Sequence, residues 1–170
     1  MDKSVASLLD RLRRISPMPE DDLLPVPLIN SYQEIVSELA QYRHPDTIRP
    51  LIDSFGYGEA DGAYWSTLHL LESFPWALVE PELIAAIQAG MSGPSQWAAY
   101  MLGRKRSQPA VQFLIGLLQH DKPLVRASAV LALASIGDPA AIEALTALRA
   151  DPAVEVRNEV RRAIDTLQIQ

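Results

Sequence analysis

The feature that most constrains this chain is a self-similarity near its C-terminus at a spacing of about 30 residues. Asp121-Lys-Pro-Leu-Val-Arg126 reappears as Asp151-Pro-Ala-Val-Glu-Val-Arg157 with one residue inserted, and Gln108-Pro109-Ala110 reappears as Asp138-Pro139-Ala140. A unit of that length holds two short helices. Neither can bury its apolar side alone, so copies must stack and share a core between neighbours.

Helical phase agrees. Over 138–150 the apolar residues Ala141, Ile142, Ala144, Leu145 and Leu148 follow the i, i+3, i+4, i+7 rule. Over 124–137 they are Leu124, Val125, Ala129, Leu133 and Ile136, with Ala127, Ala132 and Ala134 between them, and so many alanines let helices approach closely. Asp138 and Asp151 fit N-cap positions with proline following, and Gly137 can end a helix in the left-handed region. Arg126 and Arg157 recur with the repeat, which points to a structural role, reaching the turn aspartate of the next unit.

An Asp in the turn, Val-Arg opening a helix, small residues along it and Gly-Asp-Pro before the next helix resemble HEAT repeats, in particular the phycobilisome-lyase type. The match covers 108–167 and weakens upstream. The resemblance implies an all-α fold: a right-handed α-solenoid, or superhelix, of about five HEAT-like helix pairs with an N-terminal capping helix. It also implies a single domain over 1–170, with a cap helix and Pro-rich connector over 1–28, diverged repeats over 29–107 and well-matched repeats over 108–170.

Upstream, 4–16 reads as an amphipathic helix with Val5, Leu8, Leu9, Leu12 and Ile15 on one face and Arg11, Arg13 and Arg14 on the other. Four prolines in 17–28 predict an extended connector. A helix is expected from Asn30–Ser31, where Ser31 and Glu34 form a capping box and Tyr32, Ile35, Val36 and Leu39 the buried stripe. Further helices are expected over 44–55, 64–74, 81–90, 95–105 and 108–119. Prolines 45, 81, 109 and 139 punctuate second helices, and the glycine-rich 56–62 makes a wide loop.

Chemistry is harder to find. There is no cysteine, so neither a disulfide frame nor thiolate chemistry arises. His44, His69 and His120 are scattered and never at ligand spacing; His44 and His120 flank turns and suit capping. Ser54 and Ser66 have no histidine placed to activate them. HEAT-like iron hydroxylases carry His-Glu dipeptides, and none occurs here, so the resemblance does not imply that activity. No catalytic residue, metal ligand or cofactor is expected. The N-terminus lacks an apolar leader, and no long uncharged apolar run occurs, which predicts a cytoplasmic protein.

Charge is uneven. Residues 18–96 carry twelve acidic groups against Arg43 and Arg49 only, whereas both flanks are net positive. An acidic face repels phosphates, so nucleic acid is not expected, although Arg104-Lys105-Arg106 makes a basic corner. Nor is a membrane. Aligning the second helices on their prolines predicts a concave protein-binding face of Asp46, Arg49, Asp53, Glu82, Phe113, Leu117 and Glu143, with Tyr57 exposed in the loop. The expected function is non-enzymatic: an adaptor, inhibitor or immunity protein, monomeric when free, that captures a partner with a basic surface. The alternatives are a bilin-lyase-like subunit or chromophore chaperone, and a scaffold piece.

Overall fold

The structure, a computed structural model, describes residues 3–169. Met1, Asp2 and Gln170, the ends of the expected 1–170 domain, lie outside the described residues. Every regular element among the described residues is helical. The chain divides into two compact units, and the division falls between Glu82 and Leu83.

The first unit holds helices α1 (Lys3–Arg14), α2 (Val26–Tyr42), α3 (Ile48–Asp53) and α4 (Tyr64–Glu72), and the first half of α5 (Trp76–Ala89). Helix α1 buries Val5, Leu8, Leu9 and Leu12 against α2, as the i, i+3, i+4 pattern requires. Its basic face stays outside, where Arg11 reaches Glu38 at 3.5 Å.

Two helix starts differ from expectation, and only the first follows from the tolerance of proline in a helix's first turn. Pro25 caps α2 and Pro27 sits in its first turn, so the helix begins at Val26, well before the supposed box. The Ser31 hydroxyl therefore donates to its own helix, to the Pro27 carbonyl at 3.0 Å, and caps nothing. Helix α5 likewise starts before Pro81 and runs through it. The connector is not extended throughout either, since Asp21–Leu23 turns as a 3-10 helix.

Between α2 and α4 lies a buried hydroxyl cluster. The Tyr32 hydroxyl is 2.6 Å from Thr67 Oγ1 and 3.2 Å from Ser54 Oγ, and all three residues are fully buried. The Tyr64 ring meets Tyr32 and Phe55 edge-on, with centroids 5.6 and 5.3 Å apart. Burial pushes the Tyr32 phenol up to about 12, against the smaller opposing effect of its hydroxyl partners.

The second unit is the regular part. Helices α6 (Ser92–Arg104), α8 (Pro123–Ile136) and α10 (Val154–Ile169) lie side by side with α8 in the middle, while α7 (Val111–Leu117) and α9 (Ala140–Ala147) form the second row. The α6–α8 contact is close because Gly103 faces Ala132; a Cβ there would lie 2.6 Å from the Ala132 Cα. Gly137 ends α8 with φ 79°, and the Asp138 and Asp151 carboxylates accept from the Ala140 and Ala153 amides at 2.8 and 2.9 Å.

Arg126 carries the repeat's long-range tie. Its Nε and NH2 both donate to the Asp151 carboxylate at 2.8 Å, and its NH1 donates to the carbonyls of His120 and Asp121. This arginine is 9% exposed and the aspartate 6%. One side chain thus fastens its own turn to the next one, the role its recurrence implied.

Candidate functional site

In the first unit, Arg49 and Asp53 lie one turn apart on α3, so their side chains meet on one face. Arg49 Nε donates to Asp53 Oδ1 at 2.7 Å, and NH1 approaches Glu82 Oε2 of α5 at 3.7 Å. The sequence expectation thus gathers three of its residues here, but as a mixed cluster rather than an acidic ridge. One guanidinium serves two carboxylates, which leaves one negative charge over. All three are about one third or more exposed, so their attraction is largely screened by water.

Asp46 lies in the turn before α3, exposed. Its amide donates to His44 Nδ1 at 3.2 Å, and its carboxylate lies 3.6 Å from the same nitrogen. His120 accepts from the Lys122 amide in the same way at 3.1 Å, so both histidines cap turns.

Tyr57 is half-buried rather than exposed, because its loop is held from outside. The Asp21 carboxylate accepts from the Glu59 and Ala60 amides at 2.8 and 2.9 Å, while the Gly56 amide donates to the Tyr64 hydroxyl at 2.8 Å. Ala60 and Asp61 adopt φ of 47° and 48°, a region that side chains disfavour, and the clamp keeps them there. Sequence reading missed Asp21, whose partners lie 38 and 39 residues on; no local signal marks such a pair.

In the second unit Phe113 is half-buried and Leu117 is 5% exposed, while Glu143 is exposed. Leu117 therefore belongs to the core, not to a binding groove. The physical reason is phase. Leu117 falls three residues after Leu114 and six after Val111, on the one face of α7 that these residues bury.

Nucleophilic chemistry finds no support in the hydroxyls. Ser54 and Ser66 donate to the carbonyls of Leu51 and Ala63 at 2.7 and 2.9 Å, within their own helical turns. Ser66 and Ser73 line a cleft of about 380 Å³ between α2 and α4 with Arg43 and His69, and Ser73 also donates to its helix, at 2.7 Å to Leu70. Among the described residues no group of three or more His, Cys, Asp or Glu could hold a metal ion. What the cluster around Arg49 can do is hold a cation on Asp53 and Glu82. No helix among the described residues is long and apolar enough to cross a membrane.

Paired short helices, an Arg–Asp tie between successive turns and Asp-Pro caps together define a helical-repeat protein. A model for HEAT repeats matches residues 80–165, just over half of the sequence, and the chain belongs to that family. Its similar relatives are deoxyhypusine hydroxylases. The chicken protein is 38% identical over 72 residues, 41% of this chain and 24% of that one. The human protein is 36% identical over 72 residues, with the same shares. The rat protein is 33% identical over 94 residues, 52% of this chain and 31% of that one. The chain thus spans about a quarter to a third of the length of the curated relatives it matches. The solved structure of human deoxyhypusine hydroxylase in complex with glycerol shares the fold, with a TM-score of 0.58, 17% identity, and coverage of 99% of this chain and 75% of that one.

These findings correct the functional expectation. A non-catalytic module, whether adaptor, inhibitor or immunity protein, is overturned by relatives that are enzymes, and so is the absence of enzymatic function. The phycobilisome-lyase subtype and a bilin-lyase role find no support in them. The missing His-Glu dipeptide misled the sequence reading: the likeness to hydroxylases lies in the repeat frame, which that dipeptide does not report.

Proposed function

We propose that this chain serves catalysis in the hydroxylation of an amine-bearing amino-acid side chain on a protein, the reaction class for which its deoxyhypusine hydroxylase relatives are named. The observation that carries this reading is the 72-residue stretch 38% identical to the chicken enzyme. The chemistry of the first unit suits such a substrate. Asp53 and Glu82 already hold a guanidinium, and the long 3.7 Å contact from Arg49 to Glu82 is the one a substrate ammonium would displace. The partner with a basic surface, expected from the acidic stretch, becomes the protein substrate. A cytoplasmic setting belongs to the same proposal.

The donor set described above does not fit a metal ion, so no oxygen-transfer step is routed through one. The part assigned to the chain's own residues is to bind and orient the cation. The test titrates the purified chain with a deoxyhypusine-bearing protein and with its lysine form and, with dioxygen and a reductant supplied, reads by mass spectrometry the gain of one oxygen atom. Conversion of the deoxyhypusine form and not of the lysine form is expected, and Glu82→Gln should raise KM more than it lowers kcat. The absence of both conversion and binding of that substrate would refute the reading.

A further inference from the structure

Arg126 in α8 and Arg157 in α10 occupy equivalent places one repeat apart, and each curls back onto the turn that precedes its helix. Arg126 NH1 donates to the carbonyls of His120 and Asp121 at 2.7 and 3.0 Å. Arg157 NH1 donates to those of Asp151 and Pro152 at 2.6 and 3.0 Å. There the likeness stops. The other edge of the Arg126 guanidinium, Nε and NH2, grips a carboxylate with two bonds of 2.8 Å. The same edge of Arg157 meets no carboxylate among the described residues.

Arg157 also lines a cavity of about 380 Å³, together with Arg149, Arg161, Ile164 and Asp165. Arg149 comes from the 3-10 turn after α9, and Arg161 lies one turn beyond Arg157 on α10. Three guanidinium groups face one carboxylate, an excess of two positive charges within one concavity. Neither Arg149 nor Arg161 is fixed by an ion pair or hydrogen bond to another described residue. Solvated surface arginines are ordinary. An arginine held in register by two backbone carbonyls, with its bidentate edge left over, is already placed for a planar anion.

We propose that this cavity is a carboxylate socket: it takes an aspartate or glutamate side chain from an acidic polypeptide segment, gripped by Arg157 as Arg126 grips Asp151. The chain itself supplies the template for the geometry, because the one occupied copy of this arginine holds an aspartate in an Asp-Pro turn. Arg149 and Arg161 add the attraction that draws the acid in, and Ile164 offers an apolar wall for the proline or the aliphatic stem. Nothing in this rests on the hydroxylase reading.

The test titrates the full chain with a blocked peptide, acetyl-Asp-Pro-Ala-Val-amide, and follows the arginine Nε–H signals by NMR. The expected Kd is roughly millimolar, as for one partly exposed charged anchor. The Arg157 signal should shift, and binding should weaken about tenfold in Arg157→Lys, which keeps the charge but loses the fork. Arg149→Ala, a surface change that leaves the fold intact, should weaken it severalfold. The Asn-Pro-Ala-Val peptide should not bind. Equal binding of the Asp and Asn peptides, or indifference to Arg157→Lys and Arg149→Ala, would overturn the proposal. So would inorganic phosphate or a single-stranded oligonucleotide binding more tightly than the acidic peptide, which would assign the socket to phosphate.

Discussion

Asp151 concentrates the physics of the repeat at one carboxylate, so its removal is the sharpest check on how the second unit is held. Its oxygens accept two charge-assisted bonds from Arg126 at 2.8 Å and the cap bond from the Ala153 amide at 2.9 Å. Asp151→Ala deletes all three and strands a guanidinium edge in a site only 9% exposed. Breaking a buried pair by deleting one member costs about 3–5 kcal/mol, with the cap, worth about 1 kcal/mol, included. Asp151→Asn keeps the cap and one acceptor for Arg126, so roughly half of that loss is expected. Urea unfolding at neutral pH, followed by far-UV circular dichroism, measures both. A double-mutant cycle with Arg126→Met should return a coupling of about 2 kcal/mol.

The sign with pH is fixed as well. The hydrogen bonds from Arg126, ahead of the opposing cost of burial, hold the Asp151 carboxyl below its ordinary 3.8 in the fold. A depressed folded pKa contributes stability above the unfolded value, lost as pH falls through the folded one. Wild type should therefore lose more stability than Asp151→Asn when acidified below about pH 4. The contrast is Arg157→Ala, half-buried and with no carboxylate in hydrogen-bond or ion-pair contact among the described residues, for which about 1 kcal/mol is expected. If Asp151→Ala costs no more than Arg157→Ala, and acid affects it no differently from wild type, the tie is ornamental and the reasoning fails.

Two glycines give opposite signs in the same assay. Gly103→Val should cost about 1–3 kcal/mol, since even a Cβ falls 2.6 Å from the Ala132 Cα. Gly116→Ala, with nothing within 4 Å of the added Cβ, should gain about 0.5–1 kcal/mol from reduced freedom of the unfolded chain. Tyr32→Phe removes the partner of Thr67 and Ser54, a loss of about 1–2 kcal/mol. In wild type, ultraviolet titration should show Tyr32 ionising only near pH 12 and Tyr64, pushed up by its own burial, later than the exposed tyrosines as well; stability linked to Tyr32 is full below the ordinary value of 10.0 and lost as pH rises toward 12. Asp21→Ala frees the amides of Glu59 and Ala60, so hydrogen exchange over 56–62 should quicken about tenfold while that of α8 is unchanged.

How much of this was legible in the sequence depends on how far each residue's partner lies. Caps and stops are local, and Asp138, Asp151 and Gly137 do what their positions require. The Arg126–Asp151 tie spans 25 residues, yet it was legible because the turn aspartate and the Val-Arg after it both recur with the repeat. Helix phase was less so. Pro27 was read as a barrier and Pro81 as a helix start, where the fold uses the first in a first turn and runs through the second, and Leu117 shares the buried face of Val111 and Leu114.

The candidate site shows the deeper limit. A count of charges sees ten net acids over 18–96, but a site is made of pairings, and Arg49 is one of only two bases in that stretch. Placed one turn from Asp53 and opposite Glu82, it turns the most acidic part of the chain into a cation clamp already holding its own cation. Such a clamp favours a ligand that can exchange with a guanidinium, one charged amine at a time, over a broad basic surface held by summed field. A single amine side chain presented by a partner protein meets that condition. The pairing at Arg49 therefore carries the physical case against a capturing surface, just as the relatives carry the comparative one.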